Sequence, residues 1–185
     1  MNKQNQVEDA SFFEKNIFRW CKMGEGRALL ESYLLCSLVP VLFYILPEWI
    51  MVSNGRVHRQ GLVDYSMGLG AIFFAPIFET IFIFVPILEL CRFLKVNSTW
   101  TVLGFALFFE LLHTQREFFG HLVLYPTMVS MTVLYLAQRK KSFLHALLFT
   151  GAVHEFYNFT VVMASPMTYD KFFYYHKILS IHTNL

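Results

Sequence analysis

The strongest constraint on the fold of this chain is an apolar stretch that carries polar groups in its middle. Residues 145–163 have the sequence HALLFTGAVHEFYNFTVVM, with His154, Glu155 and Asn158 near the centre. On a helix, His154 and Asn158 lie one above the other on a single face because they are four residues apart. Buried polar groups cost free energy unless a partner or a reaction uses them. We therefore expect the rest of the chain to bring partners to this face.

The composition indicates a membrane protein. Hydrophobic residues make up 56% of the 185 residues and charged residues only 15%, whereas soluble domains have about 25% charged residues. The formal net charge of +2 is small and the basic residues do not form one cluster, so the charge does not indicate a nucleic-acid partner. The three cysteines have no metal-like spacing, so we interpret them as packing residues: Cys21, Cys36 and Cys91.

Apolar periodicity predicts an all-α fold, a polytopic transmembrane helix bundle of about five spans plus an N-terminal interfacial helix. The predicted spans are residues 28–47, 65–94, 98–114, 118–138 and 142–164. Pro76 and Pro86 interrupt the second span, which we expect to be kinked. Ser11 and Glu14 form a capping-box pattern. The short amphipathic helix that follows them is expected either on the membrane surface or packed on the protein.

The distribution of basic residues predicts an orientation for this single membrane domain, residues 1–185. If the N-terminus is cytoplasmic, ten Lys and Arg residues fall on the inner side and five on the outer side. That bias favours a cytoplasmic or interfacial N-terminal segment, residues 1–27, and a C-terminus on the opposite side. The expected localisation is an integral protein of a bacterial plasma membrane.

Polar residues on three of the predicted spans fall at a common depth. Counted from the inner ends, the four side chains lie about 18–24 Å deep at 1.5 Å per residue: Glu79, His113, His154 and Asn158. Each has a structural explanation by itself, such as a core histidine bonded to a carbonyl or an asparagine that joins two helices. Their agreement in depth favours one shared site.

The chemistry that such a set supports best is hydrolysis. A Glu beside a His can take a proton from water and direct it at a carbonyl group, and a second His with an Asn can donate hydrogen bonds to the oxyanion. Alternatively, Glu79, His113 and His154 could hold a divalent metal such as zinc, whose bound water is the nucleophile. The sequence leaves both routes open.

Three motifs in order resemble a known family. FELLH, from Phe109 to His113, fits FxxxH, and HEFYN, from His154 to Asn158, fits HxxxN. A glutamate in APIFETIF precedes both. This order resembles the CPBP family (CAAX proteases and bacteriocin-processing proteins, ABI) of intramembrane proteases over residues 70–163. The resemblance implies an intramembrane endopeptidase that hydrolyses a membrane-tethered peptide or protein, with membrane lipid as its surroundings.

The resemblance also implies roles for the four residues. Glu79 and His113 would activate the water, and His154 and Asn158 would stabilise the oxyanion. The family is often described as metalloproteases, and a metal-free glutamate mechanism is also argued for it, so metal dependence stays open.

The chain departs from the family's first motif, EExxxR. Thr80 stands in place of the second glutamate, and Phe84 stands in place of the arginine. This departure supports an alternative, a CPBP-like protein that binds a peptide partner in an immunity or regulatory role without cutting it. A transporter or proton relay is a third class, but the chain shows no inverted repeat of the kind common in transporters.

Overall fold

The computed structural model describes residues 11–42, 70–113 and 118–164, and every structural statement below concerns these residues. They form helices without any strand among them: α1 (Phe12–Lys22), α2 (Glu25–Pro40), α3 (residues 70–93), α4 (Ser98–Leu111), α5 (Phe118–Arg139) and α6 (Phe143–Ala164). Residues 1–10 of the predicted N-terminal segment lie outside the described residues. So do residues 43–47 and 65–69, which belong to two of the predicted spans.

The predicted transmembrane architecture is wrong. Among the described residues, no single helical segment combines the length and the apolar character that crossing a membrane requires, and the four segments of α3 have five to nine residues each. Helix α4 has 14 residues, which at 1.5 Å per residue is shorter than a hydrocarbon core of about 30 Å. Helices α5 and α6 have 22 residues each, but polar side chains recur along both. The prediction of five spans and that of an integral plasma-membrane protein are therefore both corrected. The orientation predicted from the basic residues presupposed those spans and is not carried further.

Helix α1 is packed on the protein. The Ser11 hydroxyl accepts a hydrogen bond from the Glu14 backbone N–H at 3.3 Å, and the Glu14 carboxylate accepts one from the Ser11 N–H at 2.9 Å. This confirms the capping box. Ile17 and Trp20 are buried, and the helix lies against α5. The sequence left two positions open for this helix, on a membrane surface or packed on the protein, and the structure has it packed on the protein.

Helix α3 alternates between α-helical and π-helical turns. The π turns are Gly70–Phe74 and Thr80–Phe84, and each is followed by an α-helical segment whose second residue is a proline, Pro76 or Pro86. A proline ring clashes with the carbonyl four residues earlier, and in both cases that carbonyl belongs to the preceding π turn. The wider turn makes room for the ring. The interruption that the two prolines predicted is therefore a pair of π turns in α3. The second π turn begins directly after Glu79.

Helix α5 is the centre of the bundle. It packs against α1, α2, α4 and α6, while α6 also contacts α2 and the first two-thirds of α3. The core between them is built from large apolar side chains, among them Phe84, Leu88, Phe105, Phe109, Met128, Met131, Leu134, Tyr135 and Val153. This packing places the α3 segment around Glu79 against α6.

A partly exposed carboxylate joins the end of α3 to α5. Glu89 accepts hydrogen bonds from the Tyr135 hydroxyl at 2.6 Å, from Arg139 Nε at 2.8 Å and from Arg92 Nη1 at 2.6 Å. Burial by itself would raise the pKa of Glu89, but these hydrogen bonds, with that from Arg139 the largest, lower it to about 2. The ionised Glu89 therefore fastens α3 to the central helix at neutral pH.

Candidate active site

Glu79 and His154, which are far apart in the sequence, meet between α3 and α6. Glu79 Oε2 lies 3.5 Å from His154 Nε2. The Glu79 side chain is 26% exposed and the His154 side chain only 4%. Solvent therefore reaches the carboxylate, whereas the imidazole is enclosed by protein.

A hydroxyl contacts the other nitrogen of the same ring. Thr80 Oγ1 lies 3.2 Å from His154 Nδ1, and Thr80 is fully buried. Two consecutive residues of α3 thus contact the two nitrogens of one imidazole. The junction between the α-helical segment that ends at Glu79 and the π turn that begins at Thr80 lies at this point.

His154 is neutral at physiological pH. Burial, followed by the charge of His113, lowers the pKa of His154 from 6.5 to about 4. A neutral imidazole carries a proton on only one of its two nitrogens. The contact with Glu79 is therefore that of a carboxylate with a neutral ring, and at 3.5 Å it is long for a hydrogen bond.

His113 lies just beyond the end of α4. Its Nδ1 is 2.9 Å from the carbonyl oxygen of Phe109, one helical turn earlier. Because a carbonyl only accepts hydrogen bonds, Nδ1 carries the proton in the neutral ring, and Nε2 keeps its lone pair. The Phe109 ring centroid lies 5.2 Å from that of His113 and 6.3 Å from that of His154. The phenylalanine of FxxxH thus contacts both histidines.

Asn158 follows His154 by one turn of α6 and is partly buried. Helical geometry places the two on one face. The structure brings Glu79 and His154 into direct contact and connects His113 to them through Phe109. That these three and Asn158 form one catalytic set stays a prediction.

The described residues do not fit a metal centre. No group of three His, Cys, Asp or Glu side chains within residues 11–42, 70–113 and 118–164 gathers closely enough to hold an ion. That statement covers Glu79, His113 and His154, which the sequence offered as possible ligands of a divalent metal. The function proposed below therefore uses side-chain chemistry alone.

The sequence interpretation missed the structural roles of Thr80 and Phe84, the two positions where the chain departs from EExxxR. Thr80 contacts His154 Nδ1. Phe84 is fully buried, and its ring packs edge-on against Phe105 at 4.6 Å and Phe109 at 6.0 Å. The signal was in the sequence, because these residues take the places beside and one turn after the expected base. A hydroxyl and a core ring occupy the positions of a carboxylate and a guanidinium group.

An apolar cavity opens beside the carboxylate. It measures about 490 Å³, and the residues of α3 that line it are Gly70, Phe74, Ala75, Ile77, Phe78, Glu79 and Phe82. Phe74, Phe78 and Phe82 recur every four residues and form one exposed stripe. Glu79 is the one ionisable group among these residues. An apolar group in the cavity would lie next to the Glu79 carboxylate.

No family model matches this chain, and neither does any curated protein or solved structure. The resemblance to the CPBP family rests on the residues described above and stays a prediction.

Proposed function

We propose that this protein is a peptidase that hydrolyses a peptide bond with water activated by Glu79. The observation that carries the proposal is the contact between a partly exposed carboxylate, Glu79, and a buried neutral imidazole, His154. A carboxylate that solvent reaches can accept a proton from water. A neutral imidazole that is itself enclosed by protein is an effective hydrogen-bond donor to a developing oxyanion.

The proposed reaction assigns one role to each group. The Glu79 carboxylate takes a proton from water, assisted by the Nε2 lone pair of His113, and the resulting hydroxide adds to the carbonyl carbon of the substrate. His154 Nε2–H and the Asn158 amide donate hydrogen bonds to the oxyanion of the tetrahedral intermediate. The intermediate collapses with cleavage of the C–N bond, and the proton held by Glu79 passes to the leaving amine.

The proposed substrate is a peptide or protein with a large apolar side chain next to the bond that is cut. The cavity beside Glu79 supports this because apolar side chains, three of them phenylalanines, make up most of its wall. Full burial of a large apolar side chain gains roughly 1.5–3 kcal/mol of transfer free energy, and an open cavity of this kind provides part of that gain. A charged side chain would lose its hydration there without gaining a partner of opposite charge.

A peptidase assay on the purified full-length chain tests this proposal. A library of quenched fluorescent peptides, incubated in ¹⁸O-labelled water, would report both cleavage and the incorporation of one solvent oxygen. Glu79→Gln keeps the size of the side chain but removes the proton acceptor, so we expect cleavage to fall by at least about 10²-fold. Glu155→Gln, the same change next to His154 in sequence, is the matched control and should leave the rate within about 3-fold. Equal rates for both variants would disprove the role of Glu79.

A second candidate function, binding of a peptide without cleavage, is supported by one observation. Phe84 takes the position of the arginine in the family's first motif and is part of the aromatic core, so an uncharged ring replaces the guanidinium group at that position. A protein that only binds should retain the same peptide affinity in Glu79→Gln and release no fragments in any form. Fluorescence anisotropy on the peptides of the library separates the two candidates.

A further inference from the structure

We infer that Thr80 is a positioning residue that donates its hydroxyl proton to His154 Nδ1 and so holds the ring in the tautomer with the proton on Nε2. The inference deepens the proposed function and rests on it only for the consequence in catalysis. The hydrogen-bond arrangement itself is a property of the folded chain.

The direction of the hydrogen bond follows from the groups on either side of the ring. Glu79, when ionised, can only accept hydrogen bonds, and its carboxylate faces Nε2 at 3.5 Å. The neutral ring carries one proton, and placing it on Nε2 provides a donor for the Glu79 carboxylate. Nδ1 is then an acceptor, so the Thr80 hydroxyl at 3.2 Å must be the donor.

The opposite arrangement is disfavoured. If Nδ1–H donated to Thr80, the Nε2 lone pair would face a carboxylate oxygen, and two acceptors would be placed together at a buried ring. A buried acceptor without a donor costs about 1–3 kcal/mol. The other ionisable neighbour, His113 at the end of α4, acts on His154 through its charge and also disfavours a second proton on the ring.

The two histidines then have complementary tautomers. His113 carries its proton on Nδ1, which donates to the Phe109 carbonyl, so its Nε2 is a base. His154 carries its proton on Nε2 and is a donor. A hydroxyl suits the position next to Glu79 because it can donate to Nδ1, whereas an ionised carboxylate there could not. In this chain, Thr80 thus supplies a contact that a second glutamate in its ionised form would not supply.

Nitrogen NMR on the full-length chain labelled with ¹⁵N-histidine tests the inference without any need for activity. The His154 signals are identified by their loss in His154→Gln. At pH 7 we expect Nδ1 in the unprotonated range and Nε2 in the protonated range. If Nδ1 of the wild-type protein carries the proton, the inference is overturned, and this result does not depend on the folding of any variant.

A pair of variants isolates the hydroxyl. Thr80→Val keeps the branched shape but removes the donor, and we expect the two His154 nitrogen shifts to move towards each other as the tautomers mix. Thr80→Ser keeps the donor and should keep the wild-type shifts. Identical shifts in Thr80→Val and the wild-type protein would overturn the inference.

Kinetics on the same pair connect the tautomer to the proposed reaction. Thr80→Val should lower kcat by about 10-fold with little change in KM, since a donor that acts on the oxyanion is lost only in the transition state. Thr80→Ser should restore the rate to within about 3-fold of wild type. A Thr80→Val variant with wild-type kcat contradicts the inference. If no form of the protein cleaves peptides, the proposed function fails, and the NMR result still decides the tautomer.

Discussion

At the scale of single residues, His154 shows how burial determines chemistry. On the surface an imidazole is partly protonated at neutral pH, but here burial and the charge of His113 hold the pKa of His154 at about 4. The ring is therefore a neutral donor between Glu79 and Thr80. A charged imidazolium in the same position would form an ion pair with Glu79 and keep the carboxylate from acting as a base.

The depressed pKa of His154 predicts how stability depends on pH. The unfolded chain binds a proton at this residue below about 6.5, whereas the folded chain binds it only near pH 4. The unfolded state therefore binds more protons between these values. The free energy of unfolding should fall as the pH is lowered from 6.5 to 4 and then level off for this group.

Urea denaturation at a series of pH values measures this slope. His154→Gln should flatten the slope between pH 4 and 6.5, while His145→Gln, a change on the same helix at a more exposed histidine, should retain it. A slope that is equally steep in His154→Gln and in wild type would show that His154 is already solvated in the folded chain.

At the scale of elements, α3 decides where the site forms. Its two π turns accommodate Pro76 and Pro86, and the junction between Glu79 and Thr80 presents two consecutive side chains to one ring. Its far end is fastened to α5 by Glu89. The position of Glu79 along the helix axis thus depends on an anchor almost three turns away.

The Glu89 anchor gives a prediction about stability. Glu89→Gln removes the negative charge shared by Tyr135, Arg139 and Arg92, and should lower the free energy of unfolding by about 1–3 kcal/mol at pH 7. The folded pKa of Glu89 lies near 2, below its ordinary value of 4.5. The contribution is therefore present above pH 4.5 and lost as the pH falls towards 2.

Chemical denaturation of Glu89→Gln and of Glu25→Gln compares this carboxylate with a more exposed one, which pairs with His145. We expect a clear loss for the first and a change within about 0.5 kcal/mol for the second. Equal effects would mean that the Glu89 network contributes no more than a surface pair.

At the scale of the whole molecule, local signals in the sequence predicted more than the global pattern did. The capping box at Ser11 and Glu14 and the interruption at the two prolines follow from chemistry within a few residues, and both are seen in the structure. The transmembrane bundle was an inference from apolar content over long stretches. It failed because that content does not fix where a helix ends or whether its polar residues interrupt the apolar run.

The candidate site was predictable only in part. The depth count that grouped Glu79 with His154 combined helical rise with the ends of predicted spans that proved wrong, and the two residues nevertheless meet. The contact of Thr80 with Nδ1 depends on a π turn and on the rotation of α3 against α6. Neither can be obtained from residue spacing, because a π turn changes which side chains share a face.

We propose that Glu79 and His154 act together in one hydrolytic centre. A double-mutant cycle on kcat/KM for peptide cleavage tests it most directly, with Glu79→Gln, His154→Phe and the double variant. Residues that act as a unit are not additive. We therefore expect each single change to cost about 10²–10³-fold, and the double variant to be within about 3-fold of the more damaged single variant. Losses that multiply, or single variants with wild-type rates, would contradict a shared centre.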